Sequence, residues 1–238
     1  MPRLIFIGDV HGCFDELDEL ASGLSLGSQD RVVGVGDLVA KGPSSARVVE
    51  LFRERGWQSV RGNQDQKVIE GSLRLPDLEG RDELLEWLAG LPDWIDVPLE
   101  PGEPPHAVRP NGEGAAGVLV VHGGVLPGTP PLDYLLRDQR SSLRTLRFLR
   151  RDCKGEWIPV PKGKERDGDR FWGDLWDGER IVVYGHSPVP DSQPRIRAKT
   201  IGIDTGCVYG GRLTAAILDD GEWRFESVAA RRVYAARG

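Results

Sequence analysis

The sequence predicts an α/β fold, a sandwich of two β-sheets flanked by helices, on three observations. Short β-branched runs recur along the chain, each ending in Gly, Asp, Asn or His. Helical periodicity fills the gaps between the early runs. The last stretch, 200–227, reads as consecutive strands joined by GG and DDG turns.

Taken in order, the first strand is Leu4–Ile7, before GDVHG. Phe14, Leu17, Leu20 and Leu24 then follow the i, i+3, i+4 rule of a helix with one apolar face. Arg31–Val35 is the second strand. Val48, Leu51 and Phe52 mark a second helix, starting at Ser44 or Ser45 after Pro43 and stopping at Gly56. Trp57–Val60, Val118–Val121, Ile181–Tyr184 and Thr200–Ile203 continue the strands. Continuous apolar runs of this length suit strands buried on both faces. Segment 98–117, dense in Pro and Gly, reads as a long surface loop. Leu132–Asp152 reads as an arginine-rich helix, followed by polar KGKERDGD. With no internal repeat and no linker, the expectation is one domain, 1–238, carrying a helical cap insert at about 127–178.

Hydrophobic residues make up 39% and charged residues 29%, ordinary for a soluble globular protein. A net charge of −6 disfavours duplex nucleic acid as a partner, yet leaves an anionic substrate open if cations set the local field. Three cysteines without paired spacing argue against a disulfide framework. The apolar stretch near the amino terminus spans four residues, too short for a signal peptide, and no later one reaches membrane-spanning length. A cytoplasmic protein with no membrane partner is expected.

Asp9, His11, Asp37, Asn63, His122 and His186 each follow a predicted strand. Residues beyond the carboxyl ends of strands in an α/β sheet converge on one rim, where ligands bind. Carboxylates, imidazoles and an amide oxygen together suit manganese, iron or zinc, and one carboxylate, naturally Asp37, can bridge two ions. A lone GD or HG pair is an ordinary turn. The chain has only four histidines, however, and three of them stand beside glycine at strand ends.

GDVHG, GDLVAKGP, RGNQD, HGG and GHSP, in this order, resemble the phosphoprotein-phosphatase type of metallophosphoesterase, over residues 4 to about 218. GDLVAKGP, TLRFLRRDCKGEW and IGIDTGCVYGGRLTAAIL are similar to the symmetrical bis(5'-nucleosyl)-tetraphosphatase (diadenosine tetraphosphatase) and ApaH-like branch. The resemblance implies a calcineurin-like fold and two divalent metals, with manganese the first choice. Asp9, His11 and Asp37 would hold one ion; Asp37, Asn63, His122 and His186 the other. It implies a metal-bridging hydroxide as nucleophile, with Arg61, Lys41 and Arg147 on the substrate phosphates. Asp204 and Gly206 would shape the floor. The implied reaction is the splitting of diadenosine tetraphosphate and related nucleoside polyphosphates into two ADP.

One position departs from that pattern. The family's third motif carries a histidine, the proton donor, where this chain has Gln64. The second-motif acid that orients it in protein phosphatases is here Ala40. A glutamine amide hydrogen-bonds but supplies no proton. General acid help is worth roughly 10²–10⁴-fold, and an alkoxide leaving group needs it far more than a nucleotide phosphate does. Gln64 therefore points to phosphoanhydrides or aryl phosphates and away from phosphoserine. Asp65 could substitute as an acid, although nothing in the sequence positions it. Two alternatives stay open: a Ser/Thr or Tyr protein phosphatase of the same fold, and a catalytically weakened nucleotide- or phosphate-binding protein.

Other features are weaker. Arg137, Arg140, Arg144, Arg147 and Arg151 share a helical face that could line a polyphosphate groove or simply be solvated. Trp172 and Trp176 could stack on a nucleobase, although core packing is commoner. His106 reads as a loop residue, and Cys13 as a thiol close enough to the ligands to be oxidation-sensitive.

Overall fold

The computed structural model describes residues 2–99, 117–128, 136–137 and 139–237. Among them one five-stranded sheet runs β13-β12-β1-β2-β3, with β1 Leu4–Ile7, β2 Arg31–Gly34, β3 Gln58–Ser59, β12 Arg212–Asp219 and β13 Glu222–Ala229. β1, β2 and β3 are parallel, in the register Phe6↔Val33 and Gly34↔Ser59. The second five-stranded sheet runs β10-β11-β9-β5-β4, with β4 Trp94–Pro98, β5 Gly117–Val121, β9 Ile181–Tyr184, β10 Arg195–Ile196 and β11 Thr200–Gly202. Its middle strands β5, β9 and β11 are likewise parallel.

Side-chain alternation along these strands builds three apolar layers. Phe6 on β1 and Val33 on β2 meet Val118, Val120, Val183 and Ile201 of the other sheet, filling the space between the two. Ile5 and Ile7 point the opposite way, against Leu17 and Leu20 of α1 (Phe14–Gly23) and Val48, Val49 and Phe52 of α2 (Ser45–Glu54). On the far side of the second sheet, Leu119, Val121, Val182 and Tyr184 pack on Leu143, Leu149, Trp172 and Trp176. The parallel strands are therefore covered on both faces, as their apolar runs predict. α2 starts after Ser44, and Gly56 beyond its end has φ +63°, a conformation that favours glycine. α3 (Asn63–Ile69) and α4 (Asp82–Ala89) complete the first helical layer.

The cap region differs from its sequence expectation. Within Leu132–Asp152, residues 136 and 137 are helical and helix α5 covers Arg140–Thr145, after which the chain turns into strand β6 (Phe148–Arg151). With β7 (Trp157–Val160) and β8 (Arg170–Phe171) it forms a three-stranded antiparallel sheet, so the described part of the insert carries strands as well as helix. Partners distant in sequence override the helical spacing. Arg150 makes a bidentate pair with Asp169 at 2.7 and 2.6 Å, and Arg151 lies 4.4 Å over the Trp157 ring. The five arginines consequently share no helical face. Trp172 and Trp176 are buried core residues, the former with its ring 5.0 Å from that of Tyr184. His106 and nearly all of loop 98–117 lie outside the described residues, whose flanks Pro98 and Gly117 pair across β4 and β5.

Candidate active site

The carboxyl ends of the parallel strands in both sheets point to one rim. β1 leads to Asp9 and His11, β2 to Asp37, β3 to Asn63, β5 to His122, β9 to His186 and β11 to Asp204. Asp37 stands at the centre of this convergence. Its Oδ2 is 3.5 Å from His11 Nε2 and its Oδ1 is 3.3 Å from His122 Nε2. Ligand atoms of Asp9, Asp37 and His122 all lie within 4.8 Å of one another. Asn63 Oδ1 is 3.2 Å from His122 Nε2, and the His122 and His186 rings are 5.0 Å apart.

The backbone fixes which ring nitrogen each histidine presents. His122 Nδ1 donates to Val35 O at 2.8 Å and His11 Nδ1 to Val39 O at 3.3 Å, because a carbonyl can only accept. Both rings thus turn Nε2 toward Asp37, and that of His11 accepts from Lys41 Nζ at 2.9 Å. His186 is arranged the other way: its Nε2 meets Thr145 O at 3.2 Å, which leaves Nδ1 free.

Holding these groups together strains the chain. His11, Asp37 and His186 have φ of +50°, +51° and +65°, and Ala40 and Lys41 have +75° and +68°. Such values are uncommon for residues other than glycine and cluster at functional sites. Two glycines permit the closest approaches. A β-carbon on Gly185 would stand 2.0 Å from Asp9 Oδ1, and one on Gly62 2.2 Å from Asp37 Oδ1.

Charge is crowded here. Burial, then Asp204, holds the Asp9 carboxyl well above the usual carboxylate range, and burial raises Asp204 to about 6. Burial pulls His122 down, yet Asp37 and Asp9 outweigh it and lift that imidazole to about 10. Burial, followed by His122 and Arg147, keeps His186 well below its ordinary value. Three buried carboxylates among imidazoles whose ring nitrogens face them form a donor set that divalent cations would neutralise. The residues present fit such ions.

The other sequence candidates fall in different places. Lys41 Nζ lies 2.9 Å from His11 Nε2 and 2.8 Å from Tyr209 Oη. Arg147 donates from Nη2 to His186 O at 2.7 Å, while its buried Nε has no partner. Both line a cavity of about 500 Å³ together with Asp9, His11, Asp37, Asn63, Gln64 and His186. Arg61 does not line it. Its guanidinium donates to Ala89 O and Leu91 O at 2.7 Å each and to Gln66 Oε1 at 3.0 Å, so it ties down the end of α4 where a phosphate contact is expected from the sequence. Asp65 faces away from the cavity: it is fully buried and accepts the N–H groups of Asp37, Gly62 and Val39 at 2.9, 2.8 and 3.2 Å. Lys67, Lys162, Tyr209 and Arg237 also line the cavity. They come from four separate segments with no local motif, and only the fold brings them together.

Acids and imidazoles gathered where two sheet rims meet, under a cavity rich in cations, define a metal-dependent hydrolase. The calcineurin-like phosphoesterase family matches residues 2–224, and the chain belongs to it. A bis(5'-nucleosyl)-tetraphosphatase PrpE [asymmetrical] of Geobacillus sp. (strain WCH70) is 32% identical over 236 residues, covering 90% of this chain and 89% of that protein. Its namesake in Oceanobacillus iheyensis is 30% identical, over 98% and 95% of the two chains. A solved structure described provisionally as a diadenosine tetraphosphatase superimposes with a TM-score of 0.73 at 30% identity, covering 97% of this chain and 96% of its own. A metallophosphoesterase from Sphaerobacter thermophilus, at 20% identity and a TM-score of 0.52 over 97% of this chain and 89% of its own, shares the fold. The Geobacillus and Oceanobacillus relatives bear the name of the asymmetrical reaction, and the symmetrical split expected from the sequence finds no support in these comparisons.

Proposed function

We propose that the chain hydrolyses bis(5'-nucleosyl) tetraphosphates and related nucleoside polyphosphates, and that it splits them asymmetrically, into a nucleoside triphosphate and a nucleoside monophosphate. The observation that carries the phosphoanhydride reading is the placement of Asp65. With its carboxylate committed to three backbone N–H groups, it offers no proton to a leaving group, and neighbouring Gln64 has none to give. A nucleotide departs as a phosphate whose last ionisation lies near ~6 and needs little help. The asymmetrical choice rests on the relatives' names.

Asp9, His11 and Asp37 are assigned to one divalent cation, and Asp37, Asn63, His122 and His186 to a second, with manganese the first choice. Such ions supply charge neutralisation at the phosphate oxygens and lower the pKa of water. The chain's own groups do the rest. Gln64 N–H donates to Asp37 Oδ1 at 2.7 Å and fixes the central carboxylate. Lys41 and Arg147 face the cavity and orient the substrate phosphates, Arg147 with the planar fork suited to an oxyanion and Lys41 as a mobile point charge. Segment 127–178 acts as a cap on a single catalytic domain, contributing Arg147 and Lys162 to the cavity wall.

The test is a comparison of purified, manganese-loaded protein on diadenosine tetraphosphate, p-nitrophenyl phosphate and a phosphoserine peptide, with products separated. ATP plus AMP is the expected outcome, and two ADP would return the symmetrical reading. Preference for the peptide would overturn the leaving-group argument. Tight nucleotide binding without turnover would make the chain a binding protein.

A further inference from the structure

The cavity holds more positive charge than the splitting of one phosphate requires. Beyond Lys41 and Arg147, it is lined by Lys67 from α3, Lys162 from the β7–β8 connection and Arg237 from the carboxyl-terminal tail. No hydrogen bond or ion pair to a carboxylate occupies these three side chains among the described residues. A solvated basic face is the ordinary explanation for lysines and arginines along one helix. Here the cations arrive from separate segments and converge on one concavity, where low-dielectric walls focus their field.

Two of the three are also carried on anchored segments. The tail is pinned to the core: Glu16, fully buried on α1, accepts Arg231 N–H at 2.9 Å and Tyr234 Oη–H at 2.8 Å through one oxygen. Tyr234 and Ala235 both donate their N–H to Val208 O at 3.0 Å. That attachment brings the Arg237 guanidinium to 5.9 Å from the Tyr209 ring centre, at the cavity wall. Lys162 sits in a turn closed by Lys164 N–H on Pro161 O at 3.0 Å. Arg150, clamped by Asp169, in turn holds Lys164 O at 2.9 Å.

We propose that Lys67, Lys162 and Arg237 form a polyphosphate subsite, which grips the phosphates of the substrate that are not being split. This deepens the nucleoside-polyphosphate reading and rests on it for the identity of the substrate. The cations select for chain length: an anion of three or four linked phosphates spans from the acid–imidazole centre to the outer cations, whereas a single phosphate reaches only the centre. Arginine suits this role because its fork can take two oxygens of one phosphate, and the lysines add point charge where the chain bends.

The experiment is calorimetric titration of the manganese-loaded full chain with orthophosphate, pyrophosphate and tripolyphosphate, each as its manganese complex with metal in excess. Affinity is expected to rise with each phosphate. Removing one cation, in Lys162→Ala or Arg237→Ala, should cut the advantage of tripolyphosphate over orthophosphate about tenfold, as the loss of a charge-assisted hydrogen bond does. Lys154→Ala, on an exposed turn of the insert, is the charge-matched control and should leave that ratio in place. Equal affinity for all three anions, an undiminished ratio in both variants, or an equal loss in Lys154→Ala would each overturn the subsite. If the wild type favours tripolyphosphate through these residues but does not cleave diadenosine tetraphosphate, the substrate reading fails and the subsite stands.

Discussion

Asp65 Oδ2 accepts the backbone N–H of Asp37 at 2.9 Å, so the acid beside Gln64 positions the central carboxylate of the site and does not donate protons. The same side chain holds the N–H groups of Val39 and Gly62. Asp65→Ala would strand three buried donors, each costing about 1–3 kcal/mol. A loss of at least ~3 kcal/mol is expected, a fall in Tm of roughly 6–12 °C for a chain of this size. Asp65→Asn, which keeps one acceptor oxygen, should fall between. Thermal unfolding checks both, and an alanine variant with unchanged Tm would disprove the clamp.

Gln64→His restores a titratable group beside Asp37. Its gain in kcat/KM should be larger on a phosphoserine peptide than on diadenosine tetraphosphate, because the alkoxide needs a proton and the nucleotide does not. Equal gains on the two substrates would mean that leaving-group chemistry does not explain Gln64.

Ala40 carries φ +75° in the loop after Asp37 while its N–H is held by Ser45 Oγ at 3.0 Å. Glycine adopts that conformation without the Cβ clash, so Ala40→Gly should stabilise the protein by about 0.5–1 kcal/mol despite glycine's entropy in the unfolded chain. Denaturant unfolding reads it out, and a lower midpoint would show that the loop is not strained at this residue.

Removal of bound metal should destabilise the fold. Asp9, Asp37 and Asp204 are buried close together, and ligands that bind only the folded state add RT ln(1 + [L]/Kd), about 2.7 kcal/mol at a hundredfold excess over Kd. Dialysis against a chelator is expected to lower Tm, and manganese to restore it. His11→Ala or His122→Ala should shrink that difference, whereas an identical Tm with and without metal would argue that the cluster binds no ion.

Cys13 and Cys207 are buried and Cys153 is exposed. A thiol reagent should therefore titrate one cysteine in the native protein and three in denaturant. This replaces the expectation that Cys13 is oxidation-sensitive: packing shields it, whatever its distance from the ligands. Rapid native reaction of a second thiol would contradict that burial.

Strand positions were legible because the parallel strands other than β3 sit in apolar runs that lead into a residue with chemistry. Leu4–Ile7 and Ile181–Tyr184 coincide with β1 and β9. The same regularity exposed the acid and imidazole set, since a ligand at a strand end needs no knowledge of what lies opposite. The insert was illegible for the converse reason. Arginines spaced three and four apart continue the helical pattern past α5, while the strand that follows is held by Arg150 on Asp169 and Arg151 on Trp157, which local periodicity cannot register. The motif around Arg61 gives its position in the chain but not the direction of its side chain, which runs to the end of α4. Lys162 and Arg237 share a cavity wall only once the insert and the tail are in place.

The acid and imidazole set is divided between the halves of the sandwich: Asp9, His11, Asp37 and Asn63 follow strands of one sheet, His122, His186 and Asp204 strands of the other. Any cation held by both groups is a rivet through the seam between them. Catalytic competence and cohesion then share one supply, and protein starved of metal would part along that seam, opening first to proteases at the place where the chemistry is done.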